Sequence, residues 1–494
     1  MAFSLYRNSA LIWFSNALVK PLWILWVDRS IQNMAGPEAY GAYYQWFNLS
    51  LLLAVLLDGG MANYLNQRSA TGNLEEAEWR HLLRVKGYLF LAYLVGTVGL
   101  ALALDFPRSA WPWTAVMAVM QGFSFLNLFL RARLAGQQQF VAEGLLGAAD
   151  KAVMVALSLP LLKGNAYLTG DCIQDFTLIQ LIGVVTITIA TTAWIYRTGN
   201  PLKPMSGSPR LASSTLSENS SSSWYLALAP YFVLGFIMTL YYRLDVVLLR
   251  LWGSGSLQET GWYAASYRLL DAGMMIPLLL GQMWVGRFAF LQNQMPACLH
   301  LLNQSVRIPL ILGLGGLLWL GPYAADWIAW WYPGADSIPA DKVGLFAPDR
   351  ILFWHLAAYL PFGTNVVLGS LLTAHQRFNF LIPLHLAALL VHLGCLFWWI
   401  PDLGAVGAAR ACCVTQGLVL LGQVAYCIKV YSWNPWRLHG GYLSLLMVLA
   451  LIPPALGALT EIRFQFWQHF LVGGGLFSGY LVLKYGRKGL KGLA

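Results

Sequence analysis

The sequence predicts an all-α integral membrane protein of about fourteen transmembrane helices, and three of its properties carry that prediction. Charged residues make up 11% and apolar residues 58% of the 494-residue chain, with a mean hydropathy of +0.58. The apolar residues gather into segments long enough to cross the ~30 Å hydrocarbon layer, which takes about 20 residues of helix. The loops between these segments alternate between basic and basic-poor.

The segments run 9–29, 40–61, 83–104, 112–133, 142–162, 177–196, 225–250, 262–286, 306–331, 351–374, 380–400, 404–427, 442–460 and 466–484. With both termini cytoplasmic, nineteen of the thirty-one Lys and Arg fall in cytoplasmic loops, and seven lie outside: Arg29, Arg108, Lys163, Arg250, Lys342, Arg350 and Arg463. This is the positive-inside bias, and it fixes the orientation. It also accounts for the net charge of +10, because cytoplasmic loops face anionic headgroups. No aromatic-basic module accompanies that charge, so no nucleic-acid partner is expected. Trp111, Trp113, Trp327, Trp330, Trp331, Trp398 and Trp399 stand at span ends, where tryptophan anchors helices at the interface. Residues 9–29 are expected to remain as a span, since Lys20-Pro21 and the lack of a small-residue cleavage site argue against a signal peptide. Of the six cysteines only Cys172 faces outside, so no disulfide is expected. There is no CxxC or Cys/His ligand spacing, and no metal or cofactor is expected.

Residues 198–224 are rich in Ser, Pro and Gly and read as a cytoplasmic linker. They divide an N-lobe, residues 1–197 with spans one to six, from a C-lobe, residues 225–430 with spans seven to twelve. Residues 431–494 hold spans thirteen and fourteen and a basic cytoplasmic tail. An internal repeat supports the division. Glu38-Ala-Tyr-Gly41-Ala-Tyr43 before span two parallels Glu259-Thr-Gly261-Trp-Tyr263 before span eight. Asp28 and Asp245 hold similar places at the ends of spans one and seven. Leu134-Ala-Gly-Gln-Gln-Gln-Phe140 parallels Leu372-Thr-Ala-His-Gln-Arg-Phe378. Six spans per half is an even number, so the repeats enter the membrane from the same side and are related by an axis along its normal.

These motifs carry a family resemblance. The chain resembles the multidrug/oligosaccharidyl-lipid/polysaccharide (MOP) exporter superfamily, and within it the Wzx-type flippases of O-antigen and other polysaccharides. The resemblance rests on Gly36-Pro37-Glu38-Ala39-Tyr40-Gly41-Ala42-Tyr43, Tyr242-Arg243-Leu244-Asp245, Gly261-Trp262-Tyr263 and the turn Ala135–Phe140. It covers about residues 1–430, and its motifs speak to topology. It implies two pseudo-symmetric six-helix lobes plus two C-terminal helices, in the bacterial inner membrane. The implied activity is translocation of a polyprenyl-diphosphate-linked oligosaccharide, a lipopolysaccharide precursor, by alternating access. Membrane lipids and polysaccharide polymerase machinery are the partners that go with such an activity.

Ionisable residues inside the spans are expensive to bury and mark function by default. The basic ones are Lys20, Lys151, Arg243, Arg268 and Arg410; the acidic ones are Asp58, Asp150, Asp245 and Asp271. Lys20 and Lys151 lie ~13–16 Å from a helix end, and Arg243, Arg268 and Arg410 about 9–10 Å from the external surface. Lys20, Arg243, Arg268 and Lys151 are the candidates for a cationic cavity that holds a diphosphate, for which the arginine fork is suited. Asp245, Asp271 and Asp58 are the ion-coupling candidates. Each has a structural alternative. Arg268 and Asp271, three apart on one helix face, neutralise each other; Asp58 caps its surroundings; Arg410 snorkels outward. His385 and His392, seven apart, share a helix face, either as a proton relay or as a polar contact between helices. Pro230, Pro277, Pro361 and Pro383 lie within spans and permit bends.

Competing functions are separable. No GxxxxGK[ST] loop occurs, so the chain is not expected to hydrolyse ATP itself. A MATE-type drug/cation antiporter would favour an acidic or aromatic cavity, and a lipid II flippase is a further transporter reading. A membrane glycan polymerase or ligase would need a large external loop with catalytic groups. The longest such loop here, residues 332–349, offers only Asp336, Asp341 and Asp349.

Overall fold

Inside a bilayer each backbone N–H and C=O must find its partner within the protein, and a helix satisfies them locally. A computed structural model describes residues 19, 21–70, 74, 76–137, 139–164, 168–198, 223–254, 256–334 and 347–435, and no strand occurs among them. A π-helical turn, Trp23–Asp28, leads into α1 (Arg29–Leu52). There follow α2 (Met61–Ala70), α3 (Glu76–Ala103), α4 (Trp111–Gly136), α5 (Phe140–Leu162), α6 (Cys172–Arg197) and α7 (Ser223–Trp252). Then come α8 (Leu257–Phe290), α9 (Met295–Leu320), α10 (Ala324–Trp331), α11 (Pro348–Ala374) and α12 (Phe378–Tyr431). Eight helical stretches among the described residues are long and apolar enough to cross a membrane, and the 54-residue α12 carries two of the expected spans. The molecule is an all-α, multi-pass membrane protein. Lys20, most of span one, the linker, Asp336, Asp341, spans thirteen and fourteen and the basic tail lie outside the described residues.

The burial pattern is that of a protein solvated by lipid. On α3 the most exposed side chains include Tyr88, Leu91, Val95, Val98 and Leu102, while Trp79, Leu82, Tyr93, Thr97 and Ala101 are buried. The exposed set recurs at three and four residues and the buried set at three, four and eleven, so each occupies one helix face. A continuous apolar stripe facing outward suits hydrocarbon and would be an aggregation surface in water.

Local sequence sets the breaks. In α1 the helix is interrupted at Gly36, with φ of 80°, just before Pro37. Span two, expected over 40–61, is not one regular helix. It ends at Leu52, passes through a 3₁₀ turn at Ala54–Leu57, and restarts at Met61. The cause lies at Gly59 and Gly60, with φ of +54° and +81°, a backbone region open mainly to glycine. In α12 the break falls at Gly404 (φ 54°, ψ −132°), where the expected spans 380–400 and 404–427 meet. The N–H of Ala405, freed by that break, donates to Glu259 Oε1 at 2.7 Å. On α6, Asp171 caps the helix by accepting the Gln174 N–H at 2.8 Å. The helices continue through Pro230, Pro277 and Pro361, while α12 carries Pro383 within its first half.

The described chain forms two compact units. The first comprises residues up to Met275 together with Phe378–Ala408, and the second Ile276–Arg377 together with the chain from Ala409. In the first, α4 packs on α2 and α6, α5 on α6, and α1 on α7 and α4. Trp79 and Phe129 stack at 5.6 Å within a cluster that includes Met61, Leu82, Leu130 and Leu134. In the second, α9 packs along α11, with Gly313 set against the Leu360 backbone.

The repeated motifs meet each other in the first unit. A Cβ on Gly41 would overlap the carbonyl oxygen of Leu257 and lie 2.8 Å from its carbon and 2.9 Å from the Gly261 nitrogen. A Cβ on Gly261 would overlap the carbonyl oxygen of Pro37, 2.6 Å from its carbon. Leu257 and Gly261 stand 220 residues after Pro37 and Gly41, so α1 and α8 cross with equivalent glycines exchanging equivalent contacts. Gln32 Nε2 donates to Gly261 O at 2.9 Å and Gln45 Nε2 to Thr260 Oγ1 at 3.1 Å across the same crossing.

Candidate functional site

The close approach of α1 and α8 places Arg268 against the start of α1. Its Nε lies 2.9 Å from Asp28 Oδ2 and donates to Tyr40 Oη at 3.1 Å, and its Nη1 is 3.5 Å from Asp271 Oδ2. Tyr40 Oη in turn donates to Asp28 Oδ2 at 2.8 Å. The guanidinium also lies over the rings of Phe47 and Tyr44, at 4.8 and 5.2 Å. Three helical turns of α1 thus wrap one cation, and the ion pair to Asp28 joins the two repeats. Asp28 is 2% exposed and its Oδ1 finds no hydrogen-bond partner among the described residues.

Arg243 on α7 is held far more lightly. Its Nη1 reaches Asn48 Oδ1 of α1 at 3.4 Å, and its guanidinium lies 5.9 Å from the centre of the Tyr267 ring. Among the described residues no carboxylate lies within 4.0 Å of it, while Arg268 has two. A guanidinium has five N–H donors in a fixed fork, so most of those on Arg243 remain available. Arg243 and Arg268 stand with Asp28 and Asp271 in one neighbourhood of α1, α7 and α8, two charges of each sign.

The remaining expected site residues fall into separate places. Lys151 on α5 sits 3.8 Å from Asp150 Oδ2, with its Nζ 3.4 Å from Met154 Sδ and 5.6 Å from the centre of the Trp23 ring. Asp58 accepts the Ala62 N–H at 3.2 Å at the start of α2 and lies 3.5 Å from Lys86 Nζ. Arg410, in the second unit, stacks over Trp354 at 5.2 Å. Lys20 lies outside the described residues. Asp245 is buried on α7 and its two oxygens are taken: Tyr263 Oη donates to Oδ2 at 2.6 Å and His392 Nε2 lies 2.5 Å from Oδ1. Beside it the hydroxyl of Tyr241 bonds His385 Nδ1 at 3.0 Å. Among the described residues no group of three or more His, Cys, Asp or Glu is placed to hold a metal, and all six cysteines are free thiols.

Sequence reasoning paired Arg268 with Asp271 but missed Asp28, and paired neither His392 nor Tyr263 with Asp245. The signal was present in the parallel positions of the two aspartates. In each half the aspartate that closes the first helix accepts a hydroxyl from a tyrosine of the repeated motif, Tyr40 for Asp28 and Tyr263 for Asp245.

At the level of sequence no protein-family model and no curated protein matches the chain. Its fold, however, is that of the MOP-superfamily transporters. The lipid II flippase MurJ in an inward-closed conformation superposes with a TM-score of 0.69 at 12% identity, over 97% of this chain and 99% of that one. An inward-facing multidrug-resistance MATE transporter of the MOP superfamily gives 0.59 at 14% identity, over 89% and 99%. A MOP-superfamily transporter from Pyrococcus furiosus, described as having a binding pocket of reverse polarity, gives 0.60 at 14% identity, over 87% and 96%. These similar structures are transporters and flippases.

Proposed function

We propose that the chain is a flippase that moves a polyprenyl-diphosphate-linked oligosaccharide from the cytoplasmic to the outer face of a bacterial inner membrane, with Arg243 as its principal diphosphate ligand. The observation that carries this reading is Arg243 itself, a guanidinium in a membrane helix with one long hydrogen bond and no described carboxylate within ion-pair distance. A cation so placed is expensive unless an anion or water reaches it. A diphosphate brings paired oxygens that the arginine fork can meet with two parallel charge-assisted bonds. Arg268 is committed to Asp28 and Asp271 and serves to set α1 against α8. Lys20, in the first span, is a further candidate cation; Lys151, on α5, lies over the Trp23 ring but already faces Asp150 at 3.8 Å. An organic-cation antiporter is disfavoured because Asp28 and Asp271 are already occupied by Arg268. Lipid II carries the same diphosphate chemistry, so the glycan decides between the two flippase readings.

The test is flipping of a fluorescent polyprenyl-diphosphate glycan in proteoliposomes, run beside fluorescent lipid II and an organic cation. Arg243→Ala is expected to lower flipping at least about tenfold, the worth of one charge-assisted bond of ~1.5 kcal/mol, and Arg243→Lys to restore it in part. Transport of the cation alone, or unchanged flipping in Arg243→Ala, overturns the proposal.

A further inference from the structure

Two exposed arginines stand at the head of the outward stripe on α3, and neither belongs to the diphosphate reading. We infer that this face of α3 binds an anionic phospholipid, with its phosphate between Arg80 and Arg84 and an acyl chain along the stripe. α3 is the least buried of the eight long apolar stretches. Its inner side packs on α4 and on the 3₁₀ turn of span two. On its outer side Arg80 and Arg84 lead, four residues at a time, into Tyr88, the first exposed side chain of the apolar stripe. Basic groups and apolar groups therefore share one helix face.

Both guanidiniums are open to a ligand. Arg84 makes no ion pair and no hydrogen bond among the described residues. Arg80 turns to Glu76, its Nε 3.9 Å from the carboxylate and 3.4 Å from the carbonyl oxygen, but both side chains are more than half exposed. An exposed pair of this kind holds little. The other charges of these turns point inward and are engaged: Glu78 accepts the Tyr64 hydroxyl at 2.6 Å, and Lys86 lies 3.5 Å from Asp58 Oδ1. Among the described residues no other helix has two exposed arginines.

The spacing fits the ligand. Side chains four apart on a helix start about 6 Å from each other, a gap that one phosphate closes with charge-assisted bonds from both forks. His81, next to Arg80, adds a ring N–H to the same rim. Tyr88 is 70% exposed at the following turn and places an amphipathic ring where headgroup meets hydrocarbon. From Tyr88 to Val98 the stripe rises ~15 Å, the depth of one leaflet of a ~30 Å core. A zwitterionic headgroup would bring an ammonium beside two guanidiniums, whereas each surface arginine favours a net anionic one about fivefold. With Glu76 offsetting part of this at Arg80, the pair gives a preference of about tenfold. In the orientation expected from the basic loops, the lipid comes from the cytoplasmic leaflet. Its binding does not rest on the proposed function.

The test is native mass spectrometry of the full-length, delipidated protein in detergent. Phosphatidylglycerol and phosphatidylcholine with identical acyl chains compete for the first lipid retained. The wild type is expected to prefer phosphatidylglycerol about tenfold. Arg80→Gln with Arg84→Gln should bring the two lipids close to equality. Arg287→Gln with Arg350→Gln removes the same charge from two other exposed positions and should leave the preference unchanged. Size-exclusion profiles confirm folding; should the first pair not fold, Arg84→Gln alone decides, with about a fivefold loss expected. Equal retention of both lipids by the wild type, an undiminished preference without Arg80 and Arg84, or an equal loss in the control pair overturns the site. Retention of neither lipid also overturns it, since the face is then covered by another part of the chain or by a second copy. Flipping is not measured in this experiment, so its failure is distinguishable from failure of the flippase reading.

Discussion

Replacing Gly41 with alanine asks two main chains to part. The added carbon would stand 2.8 Å from the Leu257 carbonyl carbon and 2.9 Å from the Gly261 nitrogen, where ordinary carbon contacts are about 3.5–4.0 Å. The Leu257 carbonyl oxygen is nearer still, so α1 and α8 must separate by roughly 1.5 Å, and backbone atoms on both sides leave no flexible side chain to yield. Overpacking costs about 1–3 kcal/mol, and this site belongs at the upper end. Separation also stretches the hydrogen bonds from Gln32 to Gly261 and from Gln45 to Thr260, each worth about 1 kcal/mol net. The expected loss is about 3–5 kcal/mol. At about 2 °C per kcal/mol for a large chain, the Tm falls by about 6–10 °C. The unfolding assay uses the native thiols, since Cys298, Cys412 and Cys427 are free and buried and react with a fluorogenic maleimide only as the protein opens. Gly261→Ala should behave alike. Gly87→Ala and Gly99→Ala, where a Cβ meets nothing within 4 Å, are the controls and should be neutral or slightly stabilising. If both crossing variants melt within about 1 °C of the controls, the reasoning from the repeat crossing fails.

Three other outcomes can be measured on the same preparation. Asp28→Asn and Arg268→Gln should each lower stability by about 3–5 kcal/mol, because each strands a buried charge, while the double variant recovers much of the loss; additive effects would deny the pairing. Lys86→Met should leave flipping intact and lower the Tm by a few degrees, roughly 1–2 kcal/mol at the Asp58 end of α2. A transport defect in a folded Lys86→Met would instead place Asp58 in the working machinery. At the C-terminal end of α11, His375 bonds the Tyr431 hydroxyl at 2.8 Å, and burial, followed by the charge of Arg377, holds its pKa below the usual imidazole value. Its folded form therefore resists protonation more than the unfolded chain does. The contribution of His375 is fully present above the unfolded imidazole pKa and is lost as pH falls. On acidification from about pH 7.5 to 5.5 the wild type should lose more Tm than His375→Gln, and parallel losses would refute the assignment.

What the sequence made legible was whatever hydropathy and local chemistry encode. Span six, read as 177–196, lies inside α6, and its true start at Cys172 is set by the Asp171 cap, a polar signal that hydropathy does not weigh. Span two reads as one apolar run because Val55, Leu56 and Leu57 are apolar in any backbone conformation. The 3₁₀ turn there follows from Gly59 and Gly60, whose positive φ angles leave no trace in hydropathy. Gly41 and Gly261 were found as a repeat, but that they touch depends on how α1 and α8 cross. The site residues divide along the same line. Arg268 with Asp271 is visible at three-residue spacing on one helix. Arg268 with Asp28, and Asp245 with His392, join positions 240 and 147 residues apart, and only tertiary packing brings them together.

The cancellation of charge around Arg268 bears on how the protein would answer to voltage. Empty, the two arginines and two aspartates sum to zero, so turning this cluster within the electric field of the membrane moves almost no net charge. If a diphosphate binds Arg243 as proposed, the cluster becomes anionic, and carrying about two negative charges outward through an inside-negative potential would release roughly 4–5 kcal/mol per 100 mV. The loaded half of the cycle would then be electrogenic and the return half electrically silent, so depolarising a vesicle would slow export without trapping the empty carrier.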